Sequence, residues 1–130
     1  MKKVKKCGII SAEKFKERAI RIVRGEYKPK PDEPKIWFES MNALAQTLNP
    51  VTIELLRIID RERPESITDL ARISGRTKGN LSRTLKRLQH YGIVELQKNG
   101  GRLQPIARAT DFQVDFGVYT SFLESPPPVA

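Results

Sequence analysis

The stretch over residues 66–92 most constrains the fold, because two short helical patterns lie on either side of one glycine, Gly75. Ser66 is a predicted N-cap for the first helix, and Asp69 takes the capping-box position in place of the more usual Glu. Gly75 can adopt the left-handed conformation that ends a helix and reverses the chain. Two helices joined in this way form a helix-turn-helix unit.

The second helix, predicted over residues 76–91, has a polar face of one sign. Leu81, Leu85 and Leu88 recur at helical spacing and predict its buried face. The same residues include five Lys/Arg and one histidine, with no acid. A solvated surface helix would gain about 0.3 kcal/mol from each mixed pair at i,i+4. The missing acids therefore favour a polyanion against this face.

A hairpin signal follows the basic helix. Residues 93–107, IVELQKNGGRLQPIA, predict strand, turn and strand, because the Asn-Gly-Gly tripeptide at 99–101 is a strong turn sequence. Lys98 and Arg102 flank its tip. A basic hairpin directly after a recognition-type helix is a wing.

Capping residues and apolar spacing predict three further helices, beginning after Ser11, Ser40 and Asn49. The first ends near Gly25 and the third at Pro64. We expect these apolar positions to face inward: Phe15, Ala19, Ile22 and Val23 in the first helix, Met41, Leu44, Ala45 and Leu48 in the second, and Leu55, Leu56 and Ile59 in the third. The prolines within residues 29–34 predict an extended connector, and residues 36–38 a short strand.

The chain ends in a predicted half-buried strand over residues 112–118, where apolar and polar residues alternate, and in a proline-rich tail over 125–130. Charge is segregated along the chain. The net charge is +6 over residues 1–34, zero over 35–63, +6 over 64–108 and −3 over 109–130, which gives the total of +9. Two basic segments around a neutral middle are typical of a nucleic-acid footprint.

Residue content argues against other classes of protein. With one cysteine, Cys7, and one histidine, His90, the chain offers no internal disulfide and no zinc site built from these residues. It has no P-loop and no GxGxxG, so we expect no enzyme, no metal and no cofactor. We expect His90 to be a surface residue at the helix end. No apolar run approaches the roughly 20 residues of a membrane span, and the apolar stretch after the basic N-terminus is too short for a signal peptide, so we expect no membrane association and a cytoplasmic location.

Helical phase assigns DNA-binding roles to individual side chains. The predicted base-reading residues are Arg76, Lys78, Asn80 and Arg83, and the predicted backbone contacts are Thr77, Ser82, Lys86, Arg87, Lys98 and Arg102. Three alternatives stay open. First, the basic helix could be only a solvated surface. Second, the N-terminal KKVKK could be a solubilising end or a flexible arm that enters a groove. Third, the partner could be RNA, which is disfavoured because the basic helix has no outward aromatic residue to stack on bases.

The segment SITDLARISGRTKGNLSRTLKRLQHYGIVEL resembles the winged helix-turn-helix of MarR-like transcriptional regulators. Leu70, Ala71 and Gly75 match the pattern xxLAxxxG, and residues of 82–94 match SxxLxxLxxxGIV. The matching positions of the second pattern are Ser82, Leu85, Leu88, Gly92, Ile93 and Val94. The resemblance implies an α+β fold, mainly helical, with a β-hairpin wing and short N- and C-terminal strands.

Most of the chain is also similar, more loosely, to a group of short DNA-binding regulators that includes antitoxins of TumE-like toxin pairs. This resemblance implies an autoregulating repressor that acts as a homodimer on double-stranded DNA. It also implies an alternative, an antitoxin whose main role is to bind and neutralise a small toxin protein. We expect no long C-terminal helix like that of MarR dimers, so dimerisation would use the N-terminal helix, the neutral middle or the strand at 112–118. We expect residues 1–48 to be a strand, helix and connector and a candidate dimerisation region, 49–108 the DNA-binding domain, and 109–130 a strand and tail.

Overall fold

The computed structural model describes residues 1–120, which fold as a mainly helical α+β protein with a β-hairpin wing, as the sequence predicts. In chain order the elements are β1 (Val4–Ile9), α1 (Ala12–Val23), β2 (Ile36–Phe38), α2 (Met41–Thr47), α3 (Pro50–Glu62), α4 (Ile67–Ser74), α5 (Lys78–His90), β3 (Val94–Asn99), β4 (Arg102–Ala107) and β5 (Asp111–Asp115). None of these helices is long and apolar enough to cross a bilayer. The predicted proline-rich tail over residues 125–130 lies outside the described residues.

The predicted helix starts are confirmed by their caps. The side chains of Ser11, Ser40, Asn49 and Ser66 each accept a hydrogen bond from the backbone N–H three residues later. Such a bond satisfies one of the N–H groups that the first turn of a helix leaves free. Sequence-local chemistry therefore fixes where four of the helices begin.

Two sheets complete the fold within the described residues. β1 lies between β2 and β5, and both neighbours run parallel to it. β3 and β4 form the antiparallel wing. The N-terminal basic run is therefore the central strand of a sheet, and its reading as a flexible arm is wrong. Lys3 Nζ donates to the Ala107 carbonyl at 2.6 Å, which ties the run to the end of the wing.

A single apolar cluster joins the helix-turn-helix unit to the three-stranded sheet. The cluster combines residues of three helices, of the segment after α5 and of the sheet. They are Leu55, Leu56 and Ile59 of α3, Leu70 of α4, Leu81, Leu85 and Leu88 of α5, Ile93 and Val94 after α5, and Cys7, Ile36 and Phe38 of the sheet. The predicted inward positions of α3 and α5 are thus confirmed. The basic helix is held on the core by its leucines, and its other face is left to solvent.

The predicted apolar face of α1 is wrong. Phe15 is 42% exposed and Val23 86% exposed, whereas the buried residue of α1 is Arg18. Arg18 stacks over Trp37 at 4.7 Å and pairs with Glu33 at 2.7 Å, so the helix docks through a cation. An ion pair and an aromatic ring take the place of the apolar stripe because α1 lies beside Trp37 of the edge strand β2.

Two further predictions need correction. Of the four positions predicted to face inward in α2, Met41 and Ala45 are exposed and Leu44 and Leu48 pack against the core, where Ala43 joins them. The predicted strand over residues 112–118 ends at Asp115, since β1 supplies pairing partners only as far as that residue. Beyond it, Phe116 and Val118 are 63% and 91% exposed.

Candidate nucleic-acid interface

The turn between α4 and α5 sets the position of the basic helix. Gly75 ends α4 with φ +74°, and Thr77 then caps α5 by accepting from the Asn80 backbone N–H at 3.2 Å. Because Thr77 is the cap, the helix begins at Lys78 and ends at His90, which is shorter than the predicted range of 76–91. Leu81, Leu85 and Leu88 are at most 1% exposed and fix the rotation of α5 about its axis.

The face of α5 opposite the leucines carries most of the predicted DNA-binding residues. Asn80, Arg83, Lys86 and Arg87 are exposed there, and Ser82 is half-buried at the edge of this face. Lys78 is also exposed, in the first turn, although its position three residues before Leu81 places it nearer the leucine side. A Cβ added at Gly79 would meet nothing within 4 Å, so the backbone of the first turn is open to close approach. We call the five exposed side chains and Gly79 the outer face of α5.

Arg76 is placed differently from the prediction. It precedes the cap residue, so it lies in the turn and not on the helix. Its guanidinium donates to the Val51 carbonyl of α3 at 3.2 Å, and the side chain is half-buried. Arg76 therefore links the turn to the start of α3 at the N-terminal end of the outer face.

The wing is held rigidly beside α5. Gly100 and Gly101 have φ of +57° and +81°, the backbone of a type I′ turn, and Asn99 pairs with Arg102 across it. The Gln89 side chain accepts from the Leu96 backbone N–H at 3.0 Å, and Gln104 donates to the Pro64 carbonyl at 3.3 Å. These two bonds attach the wing to the helix-turn-helix unit on both of its strands.

Lys98 and Arg102, at the tip of the wing, have different surroundings. Both are exposed, but Arg102 faces the first turn of α4 and shares a shallow surface groove with Asp69 and Arg72. Hydrogen bonds from Arg72 and from the Glu65 backbone lower the pKa of Asp69, and the charge of Arg102 adds to this. Arg102 is therefore partly balanced by an acid, whereas Lys98 is not.

The outer face of α5 and the wing tip hold an uncompensated positive charge. Among residues 1–120, ion pairs engage Lys3, Arg18, Arg57, Arg72 and Arg108. No ion pair within the described residues involves Lys78, Arg83, Lys86, Arg87 or Lys98. Other exposed cations of the described residues, such as Lys14 and Lys16, also form no ion pair. What distinguishes α5 is that no acid occurs between Asp69 and Glu95, so its cations have no acid on their own helix.

Comparison with known proteins places the helix-turn-helix unit and its wing in a family. The model of the HVO_A0114 family matches residues 47–114, more than half of the chain. The chain belongs to the HVO_A0114 family. The matched segment runs from the last residue of α2 into β5, so all ten predicted DNA-binding residues lie within it.

Two solved structures are similar to this HVO_A0114 family member. One is the predicted DNA-binding transcriptional regulator from E. coli, with a TM-score of 0.45 and 16% identity over 75% of this chain and 84% of that one. The other is the AntR antimony-specific transcriptional repressor, with a TM-score of 0.43 and 22% identity over 62% of this chain and 79% of that one. No curated protein matches the chain.

At the C-terminal end of α5, this HVO_A0114 family member has an aromatic groove that the sequence did not indicate. Tyr91 stacks on Phe38 with ring centroids 4.3 Å apart and donates to Glu39 at 3.1 Å. Burial and the Glu39 carboxylate raise the pKa of Tyr91, so its hydroxyl keeps its proton. The groove encloses about 650 Å³, and Trp37 and His90 also line it. His90 is exposed, as predicted.

Two observations concern the thiol and the metal-ligating side chains of this family member within residues 1–120. Burial, with a smaller contribution from Asp115, raises the pKa of Cys7 to about 11, so its thiol stays protonated at neutral pH. No group of three or more His, Cys, Asp or Glu side chains gathers in the described part of the chain. The chemistry that this surface supports is anion binding by Arg and Lys.

Proposed function

We propose that the protein is a sequence-specific double-stranded DNA-binding transcriptional regulator that acts as a homodimer and represses its own gene. The observation that carries the proposal is the set of five unpaired, exposed cations on α5 and the wing tip, mounted on a capped helix whose leucines are fully buried. The docking mode would be MarR-like, with α5 in the major groove and the wing beside it.

Roles within the outer face follow from position along α5. Lys78, Asn80 and Arg83 lie in its N-terminal half and are proposed to reach base edges, where Arg suits guanine and Asn suits adenine. Arg76 would join them from the turn by releasing the Val51 carbonyl. Phosphate contacts are assigned to the other predicted residues: Thr77, Ser82, Lys86, Arg87, Lys98 and Arg102.

A homodimer would present two copies of α5 to one face of the duplex. Recognition helices related by a two-fold axis read half-sites about one helical turn apart, roughly 10 bp. A palindromic site with that spacing, upstream of the protein's own gene, is the expected operator.

The test is fluorescence-anisotropy binding to the protein's own promoter fragment and to a scrambled duplex, each over a salt series. Arg83→Ala should weaken promoter binding by about 1–3 kcal/mol and relax discrimination at one base pair. Arg57→Ala removes an equal charge from an exposed arginine on α3 that is already paired with Glu54, and should leave discrimination unchanged. Equal, weak binding of the wild type to both duplexes would contradict a sequence-specific regulator.

A second candidate function is that of an antitoxin that binds and neutralises a small toxin protein. Three exposed apolar residues of α1 favour a protein partner there: Phe15, Ile20 and Val23. Titration of the purified product of the adjacent gene against the wild type and against Val23→Glu tests this function. A complex that Val23→Glu weakens supports it, and the absence of any complex with the wild type contradicts it.

A further inference from the structure

β5 has an unpaired edge within the described residues. It is the last strand of its sheet, with β1 on one side. The Asp111 backbone N–H donates to the Lys3 carbonyl at 3.1 Å, so Asp111 directs its main-chain groups toward β1. These groups alternate in direction along a strand. The N–H and C=O groups of Phe112 and Val114 therefore point away from β1, toward the open edge, and a strand continued by one residue past Asp115 would direct those of Phe116 the same way.

The side chains at this edge are apolar. Phe112 packs partly against the core, whereas Val114 is 41% and Phe116 is 63% exposed. Phe112 and Val114 alternate with Gln113 and so lie on one face of β5, and Phe116, just past its end, would join them in a strand continued by one residue. An exposed apolar edge strand is a template for pairing with another strand, and proteins usually protect such edges with Lys, Pro or a covering element.

We propose that β5 pairs antiparallel with β5 of a second copy of this chain, about a two-fold axis that lies midway between Val114 and Val114 of the partner subunit. We call this the axis at Val114 and name the other registers in the same way. Val114 then lies opposite Val114 of the partner subunit, and Phe112 lies opposite Phe116 of the partner subunit. The two three-stranded sheets become one continuous sheet of six strands. This inference rests on the homodimer of the proposed function and specifies its interface.

Hydrogen bonding favours this register over its neighbours. A two-fold axis perpendicular to the sheet keeps both core faces on the same side, and residues that face each other form a hydrogen-bonded pair where both direct their main-chain groups outward. When the pairing continues β5 by one residue to Phe116, the axis at Val114 brings three such pairs together, and every residue in them is apolar. An axis at Gln113 brings only two pairs together and leaves Phe116 without a partner in the strand.

Charge favours the same register. With the axis at Val114, Asp115 faces Gln113 of the partner subunit, and Asp111 faces Gly117. With the axis at Gln113, Asp111 of each subunit faces Asp115 of the other. With the axis at Asp115, the Asp115 residues of the two subunits face each other. Like charges directly opposite each other destabilise a strand pair, so the Val114 register alone among these three avoids every acid–acid pair.

Cysteine cross-linking of the full-length chain tests the register. Val114→Cys would place two cysteines at a hydrogen-bonded pair with Cα atoms about 5.5 Å apart, within the range for a disulfide. Gln113→Cys is the matched control, because its cysteines would be diagonal neighbours about 7–8 Å apart. Cys7 is fully buried and remains in both variants, and the wild type controls for it. We expect a covalent dimer for Val114→Cys alone, and the reverse pattern would overturn the register.

Light scattering of the full-length chain without DNA tests the interface itself. We expect the wild type to have twice the mass of one chain and Phe116→Glu to have the mass of one chain. Val23→Glu, at another exposed apolar residue, should stay dimeric. A monomeric wild type, or a dimer that only Val23→Glu disrupts, overturns the proposal. If the protein is a monomer that still binds its promoter more tightly than the scrambled duplex, only the β5 interface is contradicted. If it is a dimer that binds both duplexes equally, only the DNA-binding function is contradicted.

Discussion

The wing tip provides the sharpest quantitative prediction. Lys98 is exposed, has no ion pair within the described residues, and lies on a hairpin fixed to α5 by two hydrogen bonds. On a scrambled duplex, where the base-reading side chains have no specific partner, we take all five unpaired cations of each subunit to contact phosphates. Each then contributes about −0.9 to the slope of log affinity against log salt, which gives about −4.5 per subunit and about −9 for the homodimer. Lys98→Ala removes one contact per subunit and should therefore change the dimer slope to about −7.2 without altering sequence preference.

The assay is anisotropy with a scrambled duplex between 50 and 200 mM salt, since non-specific binding isolates the phosphate contribution. The wild-type dimer should lose about 3 × 10⁵-fold in affinity over this range and the Lys98→Ala dimer about 2 × 10⁴-fold. Arg57→Ala has the same change in net charge and keeps the wild-type slope if it lies outside the interface. An unchanged slope for Lys98→Ala, or an equal change for Arg57→Ala, would refute the assignment of the wing tip to a phosphate.

Three predictions concern the scaffold, each measured as the free energy of unfolding in urea. Leu85→Ala should destabilise the protein by about 2–5 kcal/mol, because the side chain is fully buried beneath α5; a loss below 1 kcal/mol would contradict this packing. Gly8→Ala should also destabilise, since its Cβ would lie 2.6 Å from the Trp37 ring, and a neutral result would mean that the ring moves aside freely. Burial alone would raise the pKa of Glu33, but hydrogen bonds from Tyr27 and Arg18 outweigh it and lower that pKa. A lowered carboxyl pKa stabilises the fold above the unfolded value of about 4.3 and loses that effect as pH falls through the folded value, so Glu33→Gln should flatten the fall in stability below about pH 5. An equally steep fall in the variant would contradict the assignment.

The helix-turn-helix unit and its wing could be predicted from the sequence because their determinants are local. Ser66 and Gly75 bound α4, and the Asn-Gly-Gly turn closes the wing. The leucine spacing of α5 fixes both its buried face and, by exclusion, its basic one. In each case the residues that interact lie within a few positions of one another, so their spacing carries the information.

Contacts between distant segments could not be predicted in this way. The spacing of α1 indicated an apolar docking face, yet Arg18 docks the helix because Glu33 and Trp37 reach it from the connector and β2. The resemblance implied a short N-terminal strand, but no local pattern shows that β1 is the central strand of its sheet. Arg76 was assigned to the helix face, and its contact with Val51 depends on where α3 lies.

The sequence by itself thus determined the helix caps, the turn, the wing and the one-signed face of α5, because helical and hairpin periodicity relate near neighbours. The tertiary structure alone decided which faces find a partner. The parallel pairing of β1 with both β2 and β5 joins segments about 30 and 107 residues apart, since Cys7 pairs with Ile36 and Val114. That arrangement leaves β5 at the open edge of the sheet and the apolar residues of α1 exposed. No local sequence pattern predicts either outcome, because each depends on which distant strand or helix packs beside β5 or α1.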